Sequence, residues 1–250
     1  MSVFGSFYSK YYNLLYKDKK YKEEVDYIHS LFHRFANTQI KNILDVGCGT
    51  GMHAAYMSQL NYHITGVDLS SEMIENALSK NIINADFHVG NAVDFQFSKK
   101  FDAVTLLFHV LSYQTINENL QKAIDNIANH LTEDGLFIFD FWYAPAVLIE
   151  RPSVRIKRLE DEDIKVIRIA EPILKVNKNI VDVNYELLIE NKHNQLLTVI
   201  KECHSMRYFS LPEIEILLSR AKLKLVYAQE WLTEKAVSEM TWGVCCVAKK

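Results

Sequence analysis

No apolar run in this sequence approaches the roughly 18 residues that a membrane-spanning helix requires. The opening stretch, Met1 to Tyr8, has neither the charged start nor the apolar core of a secretory signal. Cysteine is scarce: Cys48, Cys203, Cys245 and Cys246 form no C-x-x-C or zinc spacing, and two of them are adjacent inside an apolar run. That excludes a disulfide framework and predicts reduced thiols, no metal site and a cytoplasmic location. A basic excess is also missing, with 28 Lys and Arg against 31 Asp and Glu, so the chain is no nucleic-acid coat. No Pro/Gly/Ser-rich linker, internal repeat or low-complexity tract divides the 250 residues. One large domain, or one domain carrying a small subdomain, is expected.

What is present is an alternation of strand-length apolar runs and helical patterns from about residue 40 to 142. Strands are expected at 43–46, 63–67, 87–89, 103–108 and 135–140, and helices at 53–60, 70–79 (with Ser70 as N-cap) and 117–131. Short βα connections predict a parallel sheet covered on both faces. Before this core, Tyr21 to Phe35 has helical spacing. After it, from about 153 to 209, polar and apolar residues alternate as in Ile180–Ile189, which predicts an antiparallel meander. A helix opening at Pro212 and strands near 223–228 and 242–248 complete the main sheet.

Of only eight glycines, three fall within five residues: Gly47, Gly49 and Gly51, between a buried strand and a helix. Backbone must turn sharply there and approach a ligand closely, and a plain turn would need one glycine. The loop is no P-loop, because Met52 and His53 follow Gly51 where Lys-Ser/Thr is required. It also fails the dinucleotide fingerprint, whose sixth position is Met52. The pattern that fits is Asp45-x-Gly-x-Gly-x-Gly51, followed by Asp68 at the end of the next strand, spaced to accept hydrogen bonds from both ribose hydroxyls.

On these residues the chain resembles the class I S-adenosylmethionine-dependent methyltransferases. Asp45–Gly51, including Cys48, matches their first motif, Gly66–Met73 their second, and Gly90-Asn91-Ala92 their adenine-contacting turn. The resemblance implies a seven-stranded Rossmann-like α/β sheet with S-adenosylmethionine bound by Asp45, Gly47, Cys48, Gly49, Gly51, Asp68, Asn91 and Ala92. Leu69, Met73 and Phe108 pack either against adenine or in the ordinary core. Asn91 stands where many relatives carry Asp; it can accept from the adenine amino group without a charge.

Acceptor residues are expected at the carboxyl ends of the strands, where open α/β sheets bind ligands. His109 and Tyr113 follow the fourth strand, and His109 has the proton affinity suited to a base; the alternative is a histidine bonded to a loop carbonyl. Trp142 and Tyr143 follow the fifth strand as a substrate wall or as core. In the meander, Glu202, His204, Met206 and Tyr208 share one face; toward the cleft, Glu202 and His204 are acceptor-site residues, and away from it they are surface. Arg155 belongs to a local basic concentration with Arg151, Lys157, Arg158 and Arg168, read either as a phosphate site or as a solvated strand face.

The aromatic N-terminus resembles the lid of small-molecule methyltransferases, which brings Tyr12 and Tyr21 to the methionine end of the cofactor. The whole order of pieces resembles the branch that methylates nucleotide-linked amino sugars, together with related capsule and O-antigen enzymes. The expected organisation is a helical lid over 1–40, a cofactor-binding core over 41–150 and 210–250, and an antiparallel β insertion over 151–209 that forms an acceptor wall or a homodimer surface. The expected function is methyl transfer to an amino or hydroxyl group of a sugar or phosphorylated precursor, with no nucleic-acid or membrane partner. Two alternatives stay open: O-methylation of a phosphoramidate-type capsule intermediate, and a non-catalytic cofactor-binding partner subunit.

Overall fold

A computed structural model describes residues 14–250. In chain order its elements are α1 (Tyr21–Phe35), β1 (Asn42–Val46), α2 (Met52–Gln59), β2 (His63–Asp68), α3 (Ser71–Ser79), β3 (Ala85–Val89), β4 (Phe101–Leu106), α4 (Asn117–His130), β5 (Leu131–Tyr143), α5 (Ala144–Glu150), β6 (Arg155–Glu160), β7 (Ile164–Lys175), β8 (Ile180–Asn191), β9 (Leu197–Phe209), α6 (Leu211–Arg220), β10 (Lys224–Glu230) and β11 (Gly243–Lys249). Among these described residues no helix is long and apolar enough to cross a membrane.

The main sheet runs β3-β2-β1-β4-β5-β11-β10. Its strands are parallel except β11, which lies antiparallel between β5 and β10. Strand alternation sends neighbouring residues to opposite faces, and both faces are covered. Ile43, Ile64, Ile138 and Cys245 pack with α1, α2 and α3, whereas Leu44, Val104, Phe139 and Cys246 pack with α4 and α6. The adjacent cysteines are thus apolar core residues on opposite sides of one strand, and burial pushes both thiols up from their ordinary acidity.

The antiparallel unit comprises β6 to β9 in sequential pairing. It joins the main sheet through the last residues of β5 and β9, where Trp142 pairs with Tyr208 and Tyr143 with Phe209. A small apolar cluster of Leu15, Met73, Val166, Leu187 and Ile189 ties the start of the described chain and α3 to the meander. Lys157 Nζ donates to the Leu15 carbonyl at 2.8 Å, fixing this roof over the carboxyl ends of the parallel strands.

Two local features depart from the sequence expectation. The fifth strand continues past Asp140 to Tyr143, because β9 and β11 both supply partners there. A helix, α5, follows it; Pro145 sits in its first turn, where a missing N–H costs nothing. The N-cap at Ser70 is formed, its hydroxyl accepting from Met73 N–H at 3.3 Å.

Gly51 begins α2 with φ 74°, and a Cβ there would lie 2.9 Å from the Phe87 ring. Gly51→Ala is therefore expected to destabilise the fold by roughly 1–3 kcal/mol through left-handed strain and overpacking. A lowered urea midpoint with an unchanged slope checks this; an unchanged midpoint contradicts it.

Candidate active site

A cleft of about 650 Å³ opens at the carboxyl ends of the parallel strands. One half is built by the turns after β1, β2 and β3. Gly47 has φ 75°, and a Cβ on it would lie 2.5 Å from Val110, so only glycine lets the loop pass beneath the turn after β4. A Cβ on Gly49 would meet nothing within 4 Å, which leaves that stretch of backbone open toward the cleft.

Asp68 closes the glycine loop. Its Oδ2 accepts from Gly49 N–H and its Oδ1 from Ser70 N–H, both at 2.9 Å. Burial pushes its carboxyl above the usual range, and these backbone donors offset only part of the rise. The Leu69 N–H adds a third backbone donor, and a carboxylate's four lone pairs leave room for a further one. Leu69, Met73, Ala92 and Val93 give the same half an apolar lining, with Leu69 66% exposed despite its size. Asn91 also faces the cleft, but its Oδ1 accepts from Val93 N–H at 3.1 Å, so one lone pair is already committed.

The turn after β4 is strained. Phe108 and His109 both have positive φ, 65° and 61°, a conformation costly for residues with side chains. Asp140, 1% exposed at the end of β5, holds it: the His109 backbone N–H donates to both carboxylate oxygens at 3.1 and 3.2 Å. His109 Nδ1 lies 2.7 Å from Asp140 Oδ2 but is not aligned for a hydrogen bond with it. Trp142 stands edge-on to His109, with ring centres 6.0 Å apart.

The second half of the cleft is lined from the meander and the roof by Arg155, Arg168, Tyr185, His204, Met206 and Tyr16. Tyr113 Oη and His204 Nδ1 are 2.9 Å apart, and His204 Nε2 lies 3.3 Å from Glu202 Oε2. The Arg168 guanidinium lies over the Tyr185 and Tyr16 rings at 5.2 and 5.9 Å, and its Nε is buried without a hydrogen-bond partner. At the opposite wall His53 bonds Glu24 at 2.7 Å, and Lys19 pairs with the same carboxylate. Burial alone would raise the Glu24 carboxyl, but His53 and Lys19 together hold it below its ordinary range.

Most residues singled out from the sequence meet in this cleft: Tyr21, Gly47, Cys48, Gly49, Asp68, Leu69, Met73, Asn91, Ala92, Phe108, His109, Tyr113, Trp142, Arg155 and His204. Four do not line it. Asp45 lies beneath the loop, its Oδ1 accepting from Thr105 Oγ1 at 2.8 Å and its Oδ2 buried without a hydrogen-bond partner. Gly51 serves helix–strand packing. Tyr143 packs on the core, because alternation turns it away from the side of β5 that carries Trp142. Glu202 stands behind His204. Tyr12 lies outside the described residues. Tyr16, Asp140 and Tyr185 were not anticipated as site residues; the neighbourhood of Asp140 and the His109 turn, 31 positions apart, comes from the tertiary fold.

The cradle suits an adenosyl cofactor: open glycine backbone, a buried carboxylate with room for a further donor, and an exposed apolar lining beside them. A family profile described as "Methyltransferase domain" matches residues 43–135. Over 221 residues, 87% of this chain and 90% of the relative, the sequence is 26% identical to a dTDP-3-amino-3,4,6-trideoxy-alpha-D-glucopyranose N,N-dimethyltransferase of Streptomyces venezuelae. Other curated relatives with names of this kind are matched over about half their own length. An S-adenosylmethionine-dependent methyltransferase structure from Clostridium acetobutylicum superposes with a TM-score of 0.83 at 22% identity, covering 97% of each chain. An amino pentose methyltransferase from Micromonospora echinaspora, solved with S-adenosylmethionine bound, gives 0.76 at 20% identity, covering 98% of this chain and 97% of that one.

The strand order and the glycine loop with its acid are those of the class I S-adenosylmethionine-dependent methyltransferase fold, and residues 43–135 match a methyltransferase domain. Within that class the chain is similar, along most of its length, to aminosugar methyltransferases.

Asp68→Ala is expected to weaken S-adenosylmethionine binding by about 2–4 kcal/mol through loss of charge-assisted hydrogen bonding. Protonation removes the same acceptors, and the raised carboxyl protonates earlier than an ordinary aspartate on acidification. Wild-type affinity should therefore fall as pH drops, beginning above the usual aspartate range of about 3.9, and Asp68→Asn should abolish that dependence. Calorimetry at several pH values checks both; equal affinity in wild type and Asp68→Ala refutes the assignment.

Proposed function

We propose that this protein transfers a methyl group from S-adenosylmethionine to the amino group of a nucleotide-linked sugar. The observation that carries the reading is the second half of the cleft. It continues directly from the cofactor cradle and combines aromatic walls (Tyr16, Trp142, Tyr185), neutral polar groups (Tyr113, His204) and two arginines (Arg155, Arg168). Sugars stack on aromatic faces and bond to polar groups, and paired guanidiniums suit phosphate oxygens. The aminosugar enzymes among its relatives support the same acceptor.

When bound, S-adenosylmethionine supplies an electrophilic methyl on a positively charged sulfur that leaves readily. The protein then has chiefly to hold the acceptor atom in line and near van der Waals contact with the carbon. His109 is pre-set for this task, because Asp140 holds its backbone and lies beside its ring. Arg155, exposed at the rim, and Arg168, deeper in the wall, would anchor the phosphorylated end.

The His109–Asp140 pair also supports a second reading, transfer to a hydroxyl, since an imidazole beside a carboxylate is suited to taking a proton during attack. The rate of His109→Asn separates the two. With an amine acceptor the loss should be modest, below about tenfold, and the pH profile unshifted, because proximity carries most of the acceleration. A hydroxyl acceptor should lose about 10²–10⁴-fold. Steady-state turnover from pH 6 to 9 with a nucleoside diphosphate aminosugar is the measurement. No turnover of any aminosugar by wild type contradicts the proposed acceptor.

A further inference from the structure

We propose that His29 and His33, on the outer side of α1, form a binding site for a divalent transition-metal ion, tightest for copper(II). Neither histidine lines the cleft, so the site is separate from the methyl-transfer chemistry and holds whichever acceptor the cleft takes.

The two residues are four positions apart in α1, so the helix puts both rings on one side, one turn apart. Their Nε2 atoms lie 3.1 Å from each other, with ring centres 4.5 Å apart. Imidazole nitrogens sit about 2.0–2.1 Å from a bound ion, so an ion shared across this gap would be held at an angle of about 100°. That is near the right angle of a cis pair in a tetragonal or octahedral set. Helical zinc motifs use the same two-histidine spacing, but Ser30 stands where their general-base glutamate would follow the first histidine. The pair therefore holds an ion without the group that would make it hydrolytic. It uses imidazoles alone, a ligand set that cysteine spacing does not report.

The surroundings prepare the rings as neutral ligands. His29 Nδ1 lies 2.7 Å from the hydroxyl of Tyr62, a buried residue just before β2. Metal-bound imidazoles donate their other N–H to a neighbouring acceptor, which fixes tautomer and ring orientation, and Tyr62 is placed for that role. On binding, each Nε2 offers its lone pair and each ring keeps its one proton on Nδ1. Burial first, and then the neighbouring His33, push the His29 imidazolium below its ordinary range, with Asp26 opposing them. Asp26 is itself committed to Lys22 at 2.7 Å. Among the described residues no cluster of three or more His, Cys, Asp or Glu forms a metal site, so water or an outside ligand fills the remaining positions. Magnesium and calcium require oxygen ligands, whereas imidazole suits copper, nickel and zinc, with copper(II) highest in intrinsic affinity.

Chelation closes one turn of α1 and, through Tyr62, ties the helix to the start of β2. The same helix sends Val25, Ile28, Leu31 and Phe32 into the core and Glu24 to His53. An ion that needs both rings together binds the folded chain in preference to the unfolded one, and so stabilises it.

The test uses the full chain without a polyhistidine tag, stripped with a chelator, and copper(II), nickel(II) or magnesium(II) alone as the probe. Calorimetry should give a saturable copper site and a weaker nickel site, with no magnesium binding. Tyr62→Phe should weaken copper binding about tenfold, and His33→Ala about 100-fold or more. His193→Ala, in an exposed turn of the meander, should bind as wild type does. Metal-free His33→Ala should melt close to wild type, since His33 is exposed. Saturating nickel should raise the melting temperature of wild type and leave that of His33→Ala in place. Electron paramagnetic resonance of the copper form should show coupling to two imidazole nitrogens, and to one in His33→Ala. Equal copper affinity in wild type and His33→Ala overturns the site, as does magnesium binding as tight as copper. Absence of saturable copper binding by wild type overturns it outright.

Discussion

A buried carboxylate carries the architecture of the cleft. Asp140 sits near the end of a strand paired on both sides, where a lone charge would be expensive to bury, and three close contacts from His109 lie against it. Two of them come from the backbone N–H, and they hold a turn in which consecutive residues with side chains adopt left-handed conformations. That turn packs Val110 against Gly47, so the loop after β1 and the turn after β4 interlock. The cofactor cradle and the acceptor wall are therefore set by one constraint rather than two. Strain concentrated here, and compensated by a rigid sheet, is the arrangement expected where reacting groups must not drift.

Much of this was legible in the sequence. Three glycines in five residues and an acid at the next strand end report backbone conformation and ligand chemistry directly, since few other residues meet those demands. Alternation along β9 likewise identified His204 as a cleft residue once the face was known. Other features depended on tertiary context. Strand periodicity cannot say where β5 ends, because its last residues are held by β9, some sixty positions later in the chain. Trp142 and Tyr143 look equivalent in sequence, yet the pleat sends one to the cleft and the other to the core. Asp140 reads as an ordinary polar residue at a strand end until the positive φ of His109 is known. Gly51 belongs to the cofactor motif by pattern, but its own demand comes from Phe87.

The meander adds a second wall to the cleft whose first half is built by the core sheet. Its tie to the main sheet is short, two residue pairs between β5 and β9, and its inner face contributes Arg168, Tyr185, His204 and Met206. These side chains contact neither the glycine loop nor β2 through the sheet ladder. The two halves of the cleft thus come from separate layers of one molecule, joined at Trp142 and Tyr143.

The roof has a kinetic consequence. Leu15, Met73, Val166, Leu187 and Ile189 form a cluster much smaller than either face of the main sheet, and Lys157 adds one bond to it. A patch of that size opens at a lower free energy than the domain unfolds. Such an opening would release the roof while the sheet stays intact. Filling or trimming that apolar cluster is expected to tune the residence time of whatever lies beneath it, and with it the pace of successive turnovers.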